Sequence, residues 1–120
     1  MKKILFLAAI MLAVGVFSSS IAQVKMLRGR WGASTITEGY TLDKNSGERS
    51  ITISINFSEF FKNKPEVILG MIALDASSED NIRYRAEAVS VTRDAMTIKI
   101  STWADTQIYG ISGYWLAYGE

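Results

Sequence analysis

The sequence predicts an all-β fold: a small six-stranded antiparallel β-sandwich after an N-terminal signal peptide. Three observations carry that expectation. Ser50–Phe57 and Ala95–Thr102 alternate apolar and polar residues with period two, as half-buried strands do. Polar clusters such as Asp43-Lys44-Asn45-Ser46-Gly47 and Asp75–Asn81 punctuate the apolar stretches at short intervals. No convincing helical pattern interrupts this series.

Taken in order, the chain starts with Lys2 and Lys3, then an unbroken apolar run from Ile4 to Phe17, then Ser20-Ile21-Ala22. That is the layout of a secretory signal peptide, with cleavage expected before Gln23. The run is shorter than the roughly 20 apolar residues that span a bilayer. Residues 1–22 are therefore assigned to the signal and residues 23–120 to one domain of 98 residues. The expected location is extracellular or periplasmic.

In the mature chain, Val24–Trp31 reads as the first strand, with Gly29 and Gly32 suggesting a bulge or a close backbone approach. Ser50–Phe57 is the second: Ile51, Ile53, Ile55 and Phe57 share one face. Ser58–Lys64 reads as a turn or single helical turn anchored by Phe60 and Phe61, ended by Pro65. Val67–Leu74 is almost wholly apolar, which suits a third strand covered on both faces. Arg83–Thr92 is the fourth; Val89 and Val91 break its alternation, which a bulge explains. Arg93-Asp94 turns into Ala95–Thr102, where Met96, Ile98 and Ile100 point inward. Ile111–Tyr118 is an aromatic-rich last strand. Short hairpin-like links are expected to join these six.

Composition narrows the function. The chain has neither Cys nor His. That excludes Ser-His-Asp and Cys-His machinery and ordinary zinc sites, so no metal or cofactor is expected. The mature part keeps 11 of the 13 basic residues against all 12 acids. Neither a clustered basic face for nucleic acid nor a basic amphipathic helix for membrane insertion is present. A disulfide-free domain of this size has a thin stability margin, which association into an oligomer would widen.

Continuing the phase of Thr97, Lys99 and Ser101 brings Trp103 to the same outward side. An indole among polar residues suits a ligand with a flat apolar face and a polar rim, such as a sugar ring; the alternative is an indole packed under a loop or in a subunit interface. Arg83 opens the fourth strand on its charged face, where a solvated surface role is the ordinary one. Tyr109 follows Trp103 across the turn Asp105-Thr106; its ordinary role is a core tyrosine of the last hairpin. Asp105 is expected to brace that turn, and Trp115 to lie in the core. The loop carboxylates Asp43, Glu48, Asp75, Glu79, Asp80 and Asp105 show no spacing that singles out a glycosidase pair, so no enzyme and no catalytic residue is expected.

The block Phe57-x3-Phe61-x3-Pro65-x-Val67, followed by Leu74-Asp75, Asn81-Ile82-Arg83, Val91-Thr92, Thr102-Trp103-Ala104-Asp105-Thr106-x-Ile108-Tyr109 and Trp115-Leu116-Ala117, resembles the H-type lectin domain. That family includes the snail agglutinins and the C-terminal domain of the slime-mould discoidins. The resemblance implies a six-stranded sandwich that forms a homotrimer and binds galactose-type sugars, N-acetylgalactosamine above all, without a metal. It implies sites between subunits. Arg83 matches the arginine supplied by one copy, and Trp103 and Tyr109 match the aromatic pair of the next. The family's acidic sugar ligand falls at Asp43, Asn45 or Ser46, of which Asp43 has the matching chemistry. Ala104 stands where the snail proteins carry a polar residue, and their cysteines are absent. A structural or adhesion subunit that keeps the fold and has lost the sugar site is the rival reading.

Overall fold

The computed structural model describes residues 23–120; the expected signal peptide, residues 1–22, lies outside the described residues. Six strands run in order as β1 (Lys25–Ser34), β2 (Arg49–Asn56), β3 (Glu66–Ala76), β4 (Arg85–Val91), β5 (Ala95–Thr102) and β6 (Ile108–Gly119). They form two three-stranded antiparallel sheets, β1-β6-β3 and β2-β5-β4. The alternation read in β2 and β5 is the inner face of the second sheet. Ile51 pairs with Ile100 and Ile53 with Ile98, and Met96, Ile98 and Ile100 are fully or almost fully buried. The bulge expected in β4 lies between Ala88 and Ser90.

The first sheet is locked by aromatics laid over glycines. Gly29 pairs with Trp115, and a Cβ at Gly29 would come within 2.6 Å of the Trp115 Nε1. Trp31 pairs with Gly113 and fills the space that a side chain there would need. The two tryptophans thus sit on opposite strands, each across from a glycine, and a one-residue slip would put bulk against bulk. Gly29 marks a close approach, as its sequence suggested, although β1 continues through it without a bulge. Trp115 also meets Phe57 at 5.7 Å between ring centroids, and Phe57 meets Phe61 edge-on at 5.5 Å. Aromatic pairs of this kind add roughly 0.5–1.5 kcal/mol beyond their burial.

The 58–64 segment takes the turn-like form of the two expected, with bends and no helical turn. Backbone bonds from Phe61 to Arg93 (3.0 Å) and from Lys62 to Glu120 (2.6 Å) hold it, with Phe61 buried and Phe60 exposed. Two expectations change. In β3 one face stays uncovered: Ile68 and Ile72 are 49% and 52% exposed, beside Tyr114 of β6 at 48%. An apolar run gives no sign of which face has a partner within the same chain. The links also differ. Only β4 and β5 are consecutive neighbours in one sheet; every other connection crosses to the opposite sheet. As a result, the links 35–48, 77–84 and 103–107 all meet at one pole of the sandwich.

Candidate functional site

That pole gathers every residue marked by the sequence, and the 103–107 link is its hub. β5 ends at Thr102, so the outward phase delivers Trp103 to the rim, where it is 37% exposed. Ala104 then takes a left-handed backbone, φ 57°. A residue with a Cβ is disfavoured there by about 1–2 kcal/mol, so something must hold it. The holder is Arg49, the first residue of β2, which is buried and whose hydrogen bonds among the described residues all go to carbonyls. Its Nη2 donates to the Ala104 carbonyl at 2.7 Å, its Nη1 to those of Thr106 (2.7 Å) and Lys44, and its Nε to that of Gly47 at 2.9 Å. Gly47 has φ +75°, a conformation that glycine adopts freely, and this aims its carbonyl at the guanidinium. One planar fork therefore ties the 43–48 loop to the Trp103 link.

Thr106 joins the third loop. Its buried hydroxyl donates to the Asn81 carbonyl at 2.5 Å and accepts from the Arg83 backbone N–H (3.2 Å) and Nη1 (3.1 Å). Thr102 donates to the Arg83 carbonyl at 2.5 Å. The strand expected to open at Arg83 accordingly begins two residues later, because the Arg83 backbone is claimed by threonine hydroxyls. The Arg83 Nη1 pairs with Asp105 Oδ1 at 2.8 Å and also reaches the Asn81 carbonyl at 3.3 Å. Asp105 thus braces Arg83 across the pole. Nε and Nη2 of Arg83 make no hydrogen bond among the described residues, which leaves one edge of an immobilised guanidinium free to donate.

Tyr109 is not a core tyrosine: it is 39% exposed near the start of β6, where β3 and β6 shift register between Asp75 and Ala76. Its carbonyl accepts from the Thr35 N–H at 3.2 Å. Asp43 lies in the 35–48 link with Oδ1 buried and unpartnered, and its carbonyl accepts from the Gln107 side-chain amide at 3.0 Å. Asn45 and Ser46 are exposed in the same loop. Tyr40 stands close by, donating to the Ile108 carbonyl at 2.6 Å. Burial, then the Asp43 and Asp75 carboxylates, push its hydroxyl up to about 12. Arg85 completes the rim with its guanidinium carbon 5.7 Å from the centre of the Trp103 ring.

Sequence reasoning missed Arg49, Tyr40 and Arg85, and placed Thr106 in the turn without its bonds to the 77–84 link. Arg49 sits beside the turn signature Asn45-Ser46-Gly47, and nothing local marks an arginine there as buried. Arg85 lies on the same outward face as Trp103, a relation that only strand pairing reveals: Arg85 is opposite Ser101, two residues before Trp103.

In comparisons with known proteins, discoidin II of Dictyostelium discoideum superposes with TM-scores of 0.71 and 0.72 in two structures, at 19% identity. The match covers 82% and 83% of this chain but 38% of discoidin II, so the chain spans well under half of that protein's length. The tailspike protein gp49 of Pseudomonas phage LKA1 matches with a TM-score of 0.57 at 19% identity, over 79% of this chain and 15% of that one. A protein of Fuscovulum blasticum described as "ATP synthase subunits region ORF 7" is 29% identical over 87 residues, covering 72% of this chain and 76% of its own. The H-type lectin domain matches residues 52–118, from within β2 to the penultimate residue of β6. The chain belongs to the H-type lectin domain family.

Proposed function

We propose that this chain is a secreted, non-enzymatic carbohydrate-binding protein. It takes galactose-type sugars, N-acetylgalactosamine among them, at sites shared between neighbouring copies of a homotrimer. The observation that carries the reading is the meeting, at one pole, of a part-exposed indole with an arginine fixed in place and still holding free donors. The C–H face of a sugar stacks on Trp103 while the free edge of Arg83 donates to ring hydroxyls, the strongest kind of neutral-ligand hydrogen bond available here. In the shared site, Arg83 of one copy meets Trp103 and Tyr109 of the next, with the Asp43 loop alongside. The exposed apolar face of the first sheet supports assembly of several copies. Single-site affinity is weak in such a design, and several sites on one assembly raise it.

Trp103→Ala removes the stacking platform and leaves the core untouched. It is expected to abolish binding on a glycan array while the thermal midpoint stays within a few degrees of wild type. Retained binding would remove Trp103 from the site. An array without any galactose-type ligand would overturn the specificity. If Arg83→Ala lowered trimer stability and left sugar binding unchanged, the adhesion-subunit reading would replace this one.

A further inference from the structure

We propose that Arg85 makes the Trp103 site selective for acidic sugars, that is, galactose-type rings that carry a carboxylate. The proposal rests on the carbohydrate-binding reading and specifies its ligand class.

The argument starts from charge pairing across the second sheet. Arg85 is the first residue of β4 and lies on its outer face. Across the sheet it faces Ser101 and, beyond that, Ser50, so its row holds no acid. The next row sets Glu87 opposite Lys99, a pair of opposite charges. Arg83, two residues earlier, is paired with Asp105 at 2.8 Å. Arg85 is therefore the cation beside Trp103 that has no carboxylate partner among the described residues, and none of its five N–H donors is engaged there. Its guanidinium rests over the indole instead.

That resting place turns into selectivity. A neutral sugar that stacks on the covered face of Trp103 must displace the guanidinium and offers it nothing comparable in return. A carboxylated sugar displaces it as well, but supplies a planar two-oxygen partner that matches the fork. The exposed cation–π contact is among the weaker interactions of an arginine, and a bidentate carboxylate pair is among the stronger. Arg85 thus opposes neutral rings and recruits acidic ones from the same position.

The test uses galactose and galacturonate, which differ only at C6, titrated against the full chain at low salt and at about 0.5 M salt. Wild type is expected to bind galacturonate about three- to tenfold more tightly than galactose at low salt, with the preference shrinking at high salt. Arg85→Ala, at an exposed position, is expected to bind galactose at least as tightly as wild type and to lose the galacturonate preference. Arg85→Lys keeps the charge without the fork and should fall between. Equal losses for both sugars in Arg85→Ala would make Arg85 a brace for Trp103 and overturn the proposal. Wild type binding galactose as tightly as galacturonate would overturn it too, while leaving the carbohydrate-binding reading intact. Binding of neither sugar would overturn both.

Discussion

Arg49 shows how much of the pole depends on one side chain. It answers four carbonyls from two loops and makes no ion pair among the described residues, so backbone dipoles compensate its charge. Arg49→Ala leaves the buried Thr106 carbonyl and three part-buried ones without their donor and releases the left-handed Ala104. Stability is expected to fall by about 2–3 kcal/mol in urea unfolding, with sugar affinity falling as the Trp103 link loosens. Tyr40 gives a second test. Its hydroxyl holds its proton to about pH 12 in the folded chain, against 10.0 for the free side chain. The unfolded chain releases that proton first, so this contribution is complete below about pH 10 and is lost as pH rises towards 12. Tyr40→Phe has no such proton, and its unfolding free energy should drop less than that of wild type between about pH 9 and 11.5. At this scale the sequence made the exposure of Trp103 legible from the alternation of β5, although that alternation lapses at its end, where Ser101 and Thr102 are both buried. Among Asp43, Asn45 and Ser46 only side-chain chemistry favoured Asp43, because strand phase gives no orientation within the 35–48 link.

Strands rather than loops decide where those residues meet. Each strand of the first half ends in a link that crosses to the other sheet, and the parity of the crossings sends the odd-numbered links to one pole. The β4–β5 turn and the 57–65 link occupy the other. Register in the first sheet is held by Trp115 over Gly29 and Trp31 over Gly113. Gly29→Val would drive a branched side chain into the Trp115 indole, which the Phe57 ring backs at 5.7 Å between centroids. A destabilisation of about 2–3 kcal/mol is expected, read as a lower denaturant midpoint. Gly113 was not singled out in the sequence, whereas Gly29 was visible as a possible close approach and the β4 bulge as a break in alternation. The pairing of each glycine with an aromatic 80 or more residues away was not visible, since nothing local encodes which strand becomes a neighbour.

At the scale of the molecule, the outer face of the first sheet sets the largest question. Ile68, Ile72 and Tyr114 lie open there, flanked by Arg28 and Arg30 around a groove of about 750 Å³. Apolar patches of this kind mark association surfaces. A trimer in equilibrium sedimentation is the expected state of the wild-type chain. Ile68→Asp combined with Ile72→Asp should yield a monomer by the same measurement. It should also lose sugar binding, because a site shared between copies cannot form within one. Sugar binding retained by that monomer would show that a single copy holds the whole site.

The sequence by itself determined the all-β class, six strands close to their observed bounds, the inward faces of β2 and β5, and the exposure of Trp103. Each of these follows from local periodicity, which one strand displays without reference to any other. Only the tertiary structure decided that the links cross between sheets, that Arg49 and Thr106 build the pole, that Asp105 pairs with Arg83, and that Arg85 covers the indole. Those relations join residues brought together by strand order and register, and strand order is set by which faces bury each other once the whole chain has packed.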